Sequence, residues 1–111
     1  MAKYSASFTA DASTYICDIH RRRDANDWFG NVLVSGTFGS GTVAIQVSPD
    51  GGTTKITLNQ DGTATAASGT AAAVYNIKLG NPSKNTETYK LYATLTGSTN
   101  PAISVVVFDN Q

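Results

Sequence analysis

Charged residues are scarce in this chain. Asp, Glu, Lys and Arg supply 14% of its 111 residues, and eight basic residues balance eight acidic ones. An average globular domain carries about a quarter charged residues. Nucleic-acid binding needs a clustered excess of Lys and Arg, because each phosphate contact releases a counterion. The neutral, charge-poor composition therefore argues against a nucleic-acid partner.

Reactive side chains are just as few. Cys17 is the single cysteine and His20 the single histidine. Cys17 has no second thiol for an internal disulfide or a metal cluster, so we expect a small buried hydrophobe. His20 lacks the spacing of a catalytic triad or a metal site. The run "GTFGSG" lacks the Lys-Ser/Thr and the helix of a phosphate loop. The sequence predicts a protein that is not an enzyme and has no catalytic, metal-binding or cofactor-binding residues.

Long apolar runs are missing too. No segment reaches the length of a membrane span, and the opening "MAKYSASFTADAS" has no apolar core of a signal peptide. We therefore expect synthesis in a cytoplasm and no membrane partner. The chain is nevertheless 41% apolar, which is enough to offset the entropy of ordering. Its length fits one domain with one core.

The dominant pattern is the alternation of apolar and polar residues with period two, and no segment sustains a helical period. Turns rich in Gly, Pro, Asp and Asn separate the alternating runs. The sequence predicts an all-β fold, an antiparallel β-sandwich of the jelly-roll or Ig-like type with about 7–8 strands. Residues 11–111 are expected to form the sandwich, and residues 1–10 either an N-terminal arm or its first strand.

One hairpin is well marked. Strands are predicted at residues 42–48 and 53–58, each with one buried and one solvent-exposed face. Between them, Gly51 and Gly52 suit positive φ after Pro49 and Asp50. The last run, "AISVVVFDN", is apolar on both faces, which predicts a strand that is central or covered by a neighbour. The stretch "GTATAASGTAAA" is interpreted as a loop or a weakly packed edge segment.

Two segments are candidates for partner binding. The segment "HRRRDANDWFG" holds three adjacent arginines and the single tryptophan, residue types that dominate interface hot spots. The alternative for Trp28 is a place in the core. The low-charge segment 2–10 is either an ordinary first strand or an arm that pairs with a neighbouring subunit of a homo-oligomer. The predicted partner-binding residues are Tyr4, Phe8, Arg21, Arg22, Arg23, Trp28 and Phe29.

The runs "GTFGSGTVAIQVSPDGGTTKITL" and "LTGSTNPAISVVVFDN" resemble the small β-sandwich virion proteins of tailed bacteriophages. In those proteins a Gly-Phe/Trp-x-Gly-x-Thr-Val run leads into Ser-Pro-Asp-Gly-Gly, and a last strand ends the chain. The resemblance covers residues 32–58 and 95–110. Lys55 departs from it, because such sequences often carry an aromatic residue after the turn threonine.

The resemblance implies a non-enzymatic structural protein of a phage particle, above all a capsid decoration or cement protein that binds and stabilises the head lattice. The implied partner is the major capsid protein or another virion protein, and the implied location is the virion. A head-to-tail adaptor is one alternative. Another is a carbohydrate- or receptor-binding module of a tail fibre or spike, with stacking faces on Trp28, Tyr75, Tyr89 and Tyr92. A further possible attachment surface is the outer face of the hairpin, at Thr42, Ala44, Gln46, Lys55 and Thr57.

Overall fold

A computed structural model describes residues 2–19, 28–79 and 89–109. These ranges contain nine strands and no helix, so none of them holds a helix that could cross a membrane. The strands are β1 (Ala2–Phe8), β2 (Ala12–Ile19), β3 (Trp28–Thr37), β4 (Thr42–Ser48), β5 (Ile56–Thr57), β6 (Ser68–Gly69), β7 (Ala73–Leu79), β8 (Tyr89–Thr96) and β9 (Ala102–Asp109).

The strands form two antiparallel sheets that pack against each other, which confirms the predicted β-sandwich. One sheet has four strands in the order β1-β9-β3-β7, and the other has the order β2-β8-β4-β5 with β6 also paired to β4. The strand number exceeds the prediction because β6, a two-residue strand, lies inside the stretch interpreted as a loop or edge segment. β9 lies between β1 and β3, as its two apolar faces predicted.

The core lies between the sheets because every second residue of each long strand points inward. In β3, for example, Val32 and Val34 are buried whereas Leu33 and Ser35 are exposed. Side chains of both sheets contribute to one continuous cluster, which includes Phe8, Ile19, Trp28, Val32, Ile45, Ile77, Leu91, Leu95, Val105 and Val107.

The turn after β4 has the predicted backbone, with φ of 78° at Gly51 and 107° at Gly52. The buried hydroxyl of Ser48 accepts a hydrogen bond from the Gly52 amide at 2.7 Å, and Asp50 accepts one from the Thr54 amide at 2.7 Å. These bonds hold the chain in a loop beyond residue 52. The predicted strand at 53–58 therefore shrinks to β5, and Ile56 is 54% exposed rather than buried.

The N-terminal segment is the first strand of the sandwich. β1 pairs with β9 along its whole length, from Ala2 opposite Asp109 to Phe8 opposite Ile103. Phe8 is 2% exposed and belongs to the core. Of the two expectations for residues 1–10, the first strand is the one observed for Ala2–Phe8, and we expect their removal to open the core and expose the edge of β9.

Asp11 ties two turns together at one end of the sandwich. Its carboxylate accepts hydrogen bonds from the amides of Gly97 and Ser98, each at 3.0 Å, and from the Ser98 hydroxyl. The bond from the Ser98 side chain, followed by the backbone bonds, lowers the pKa of Asp11 below its ordinary value of 3.8. Hydrogen bonds from Thr54 and Ser48 lower the pKa of Asp50 in the same way.

We expect acid to destabilise the fold through these two carboxylates. A folded-state pKa below the unfolded value adds stability above the unfolded value, and this stability is lost as the pH falls through the folded value. The melting temperature should therefore fall as the pH drops below about 4. Asp11→Asn should flatten that fall, measured by thermal unfolding monitored by circular dichroism. The control is Asp61→Asn, since the Asp61 carboxylate accepts no hydrogen bond from a described residue; an equal effect would contradict the assignment.

Candidate docking face

The structure places the predicted partner-binding residues in different environments. Trp28 is fully buried and Phe8 nearly so, and both belong to the core cluster. Tyr4 is partly exposed and packs against the same cluster. Burial leaves Phe8 and Trp28 no surface to offer to a partner. The core position of Trp28 is the alternative that the sequence analysis gave, and Phe8 shares it.

The remaining predicted partner-binding residues are three arginines and Phe29. Arg21, Arg22 and Arg23 lie outside the described residues. Phe29 is 43% exposed on the outer face of the four-stranded sheet, and the Lys78 ammonium lies 5.6 Å from the centre of its ring. Among the predicted residues that the structure describes, Phe29 is exposed and Tyr4 is partly exposed.

Strand register brings further apolar side chains to the same outer face. Leu33 of β3 lies opposite Val106 of β9 on one side and Val74 of β7 on the other. These three residues form a row across three strands. Phe108 lies two residues beyond Val106 on the same face, and Phe29 stands at the start of β3.

We call the set Phe29, Leu33, Val74, Val106 and Phe108 the docking face. Val74 is 60% exposed and Leu33 37% exposed, whereas Val106 and Phe108 are partly buried. Large apolar side chains that lie together at a surface mark interaction sites more often than isolated ones do.

Two lysines border the docking face on opposite sides. The Lys3 ammonium lies 5.8 Å from the Phe108 ring centre, and Lys78 lies beside Phe29. The other outward side chains of the described strands in this sheet are serine, threonine, asparagine and alanine. The face is therefore apolar at its centre and carries basic side chains at its border.

The outer face of the five-stranded sheet is organised differently. A line of hydrogen bonds crosses it from β2 to β5. Ser13 and Thr94 share a bond of 2.9 Å, Thr94 donates to the Gln46 amide oxygen at 2.6 Å, and the Gln46 amide nitrogen donates to Thr57 at 3.2 Å. This polar line includes Gln46 and Thr57 of the hairpin surface named in the sequence analysis. Its polar groups already bond to one another.

Two tyrosines extend that face. The rings of Tyr15 and Tyr92 meet edge to face, with centres 6.0 Å apart. The Lys55 ammonium lies 4.9 Å from the Tyr92 ring centre, and the Lys90 ammonium lies 5.1 Å from that of Tyr15. Asp18 accepts hydrogen bonds from the Tyr15 hydroxyl at 2.8 Å and from Lys90 at 2.9 Å. Partial burial, followed by the hydrogen bond to Asp18, raises the pKa of Tyr15 to about 12.

The proposed sugar-stacking residues are not brought together. Trp28 and Tyr75 are buried, and Tyr89 packs against the core. Tyr92 is partly exposed beside Tyr15, which the sequence analysis did not select. A lysine chain already occupies one face of each ring in this pair. This arrangement leaves less aromatic surface for a sugar than the four predicted residues suggested.

Cys17 is a buried thiol next to other titratable groups. It is 2% exposed, as its interpretation as a small hydrophobe predicted. Burial, followed by the charges of Asp109 and Asp18, raises the pKa of Cys17 to about 12. Burial and the charge of Asp109 also raise the pKa of Tyr4. A buried, protonated thiol is a poor nucleophile.

Within the described ranges, no three His, Cys, Asp or Glu side chains come together as a metal site would require. No family model, no curated protein and no solved structure matches the chain.

Sequence reasoning missed four of the five residues of the docking face. One signal was present, because the last run is apolar on both faces and its second apolar face holds Val106 and Phe108. A second was Leu33, an apolar residue between Asn31 and Ser35 on the outward face of β3. Only the pairing of β3 with both β9 and β7 shows that these residues lie together.

Proposed function

We propose that this chain is a non-enzymatic structural protein of a phage particle, a capsid decoration or cement protein that binds another virion protein through its docking face. The observation that carries the proposal is the outward-facing apolar row of Val106, Leu33 and Val74 across three strands, in which Leu33 and Val74 are exposed. The resemblance of residues 32–58 and 95–110 to small phage virion proteins supports the same function.

The contrast between the two outer faces supports the four-stranded sheet as the binding side. On the five-stranded sheet, polar groups bond to each other and remain compatible with water. On the four-stranded sheet, burying Leu33, Val74 and Phe29 would remove apolar area from water at about 25 cal/mol per Å². Lys3 at the border favours a partner surface with carboxylates around an apolar centre.

A glycan- or receptor-binding module remains the second candidate, favoured by the Tyr15–Tyr92 pair on the opposite face. The two functions use different sheets, so substitutions separate them. Loss of binding in Tyr92→Ala with full binding in a docking-face variant would favour the glycan or receptor module.

Val74→Asp and Leu33→Asp should each remove the chain from the particle. The substitutions would be introduced into the gene in its genome, and the amount of the chain in purified particles would be measured by quantitative mass spectrometry. Burial of a Val or Leu side chain against a partner contributes about 2 kcal/mol, and its loss corresponds to a loss of affinity of about 30-fold. The added carboxylate also repels an acidic partner border.

Thr96→Asp provides the matched control. Thr96 is exposed on the outer face of the five-stranded sheet, opposite Thr42 in β4. The substitution Thr96→Asp adds the same negative charge away from the docking face, and the particles should retain this variant. Full occupancy by Val74→Asp and Leu33→Asp would place the interface elsewhere. Absence of the unsubstituted chain from purified particles would rule out the virion function.

A further inference from the structure

Within the described residues, one edge of the four-stranded sheet has no second strand paired to it. β1 forms this edge and runs for seven residues in continuous register with β9. It contains no proline and a single charged residue, Lys3. Proline, charge and irregularity are the usual means by which proteins prevent pairing at sheet edges. β1 has little of this protection.

The other sheet edges are protected. β2 carries a register shift between Tyr15 and Cys17, and such bulges interrupt edge pairing. β7 is covered at its centre, because the Asp61 amide donates to the Asn76 carbonyl at 2.7 Å. β5 and β6 have two residues each, too short to template a neighbour. Among the loop backbone bonds of the described residues, none reaches β1.

We propose that β1 pairs antiparallel with β1 of a second copy, around a two-fold axis at Ser5. Ser5 is the midpoint of Ala2–Phe8, so this register pairs all seven residues. It places Lys3 opposite Ser7 of the second copy and thereby separates the two Lys3 charges. On the core side it places Tyr4 opposite the second copy's Ala6, a large residue against a small one.

The partial burial of the β1 side chains agrees with pairing to β1 of a second copy. Tyr4 and Ala6 pack against the core but stay partly exposed, and no strand of the described ranges pairs with the free side of β1. The second copy's Ala6 and Tyr4 would cover these positions. The pairing joins two four-stranded sheets into one of eight strands. The two-fold axis is perpendicular to the sheet, so both docking faces remain on the same side.

This dimer does not depend on the proposed virion function. Pairing through one strand buries less area than a standard stable interface, so we expect a dimer that forms as concentration rises. Its register gives a sharper test than its mass. Residues opposite each other in an antiparallel pair have Cβ atoms about 5 Å apart, close enough for cysteines to crosslink after small adjustment.

Cysteine substitutions test which β1 residues of the two copies lie opposite each other. Ser5→Cys should form a disulfide-linked dimer under mild oxidation. Lys3→Cys and Ser7→Cys should crosslink poorly alone but efficiently when the two proteins are mixed. Native Cys17 is buried and should not compete. Non-reducing gel electrophoresis with peptide mass spectrometry measures all three outcomes. Crosslinking of Lys3→Cys with itself as efficient as that of Ser5→Cys would overturn the antiparallel register.

A charge substitution tests the interface independently. Ser5→Lys places two like charges opposite each other at the axis and should lower the dimer fraction at least tenfold in light scattering after size exclusion. Ser35→Lys, exposed on the same sheet two strands away, is the control and should leave dimerisation unchanged. The proposal fails if Ser5→Lys dimerises like the unsubstituted chain, or if that chain stays monomeric at high concentration and Ser5→Cys does not crosslink. The docking substitution Val74→Asp should leave the dimer intact, so failure of one proposal is separable from failure of the other.

Discussion

Gly36→Ala should cost about 3 kcal/mol or more of folding free energy, a large part of the total stability of a small domain. Gly36 lies in β3 with φ of 115°, a conformation that residues with a side chain rarely adopt. A Cβ at this position would lie 2.1 Å from the Ala102 carbonyl oxygen and 3.2 Å from the Ile103 Cα. These atoms are backbone of the central strand β9, which cannot turn aside as a flexible side chain can. Strain and steric conflict each cost about 1–3 kcal/mol.

Gly51→Ala measures the cost of backbone strain without the steric conflict. Gly51 also has positive φ, 78°, but no atom lies within 4 Å of the position that its Cβ would take. This variant should lose about 1 kcal/mol from backbone strain alone. Urea unfolding of both variants measures the difference. Equal losses would mean that β9 moves away from the methyl group added at Gly36 at little cost, and that the packing of β3 on β9 is looser than the structure indicates.

Trp28→Ala should destabilise the fold by about 3–5 kcal/mol, the usual cost of deleting a buried large aromatic side chain. Trp28 is the largest fully buried side chain and packs over Gly30, two residues along β3. A Cβ on Gly30 would lie 2.5 Å from Cη2 of the Trp28 ring. Gly30→Ala should therefore displace the ring and destabilise the fold as well. Thermal and urea unfolding measure both losses.

A double-mutant cycle tests this link between the two residues. Gly30→Ala should cost much less in the Trp28→Ala background, because the ring that it displaces is gone. Trp28→Phe is the mild control, since the Trp28 ring nitrogen has no hydrogen-bond partner among the described residues and the smaller ring keeps much of the packing. Additive losses in the double variant would show that Gly30 acts on stability by another route. Trp28 is the single tryptophan, so its fluorescence reports ring exposure in Gly30→Ala.

Local sequence patterns predicted local structure well. Alternation predicted the buried faces of β3 and β4, and the Pro49–Gly52 signal predicted a turn with positive φ. The double apolar face of residues 102–109 predicted the central place of β9. Each of these features depends on residues close together in sequence. The predicted strand at residues 53–58 was too long. Hydrogen bonds of the Ser48 and Asp50 side chains extend the loop, and the alternation of apolar and polar residues carries no information about such bonds.

The functional surface was harder to predict because it depends on strand order. Val74, Leu33 and Val106 come from three separate strands, and nothing within any one strand states which neighbour it will have. The core position of Trp28 was hard to predict for a related reason. Its sequence neighbours include three arginines and two aspartates, which indicate an exposed loop, yet it begins β3 with its ring in the core. Composition next to a residue does not determine which side of a sheet its side chain takes.

The hydrogen bonds across the five-stranded sheet have a direction. A hydroxyl group has one hydrogen to donate, and Thr94 gives its hydrogen to Gln46. Ser13 must then be the donor in its bond with Thr94, which leaves the Ser13 oxygen lone pairs facing solvent. At the other end, Thr57 accepts from Gln46 and keeps its own hydrogen for an outside acceptor. The outer surface of this sheet therefore offers acceptors at the β2 edge and a donor at the β5 edge, and Gln46, the one amide in the line, sets that polarity.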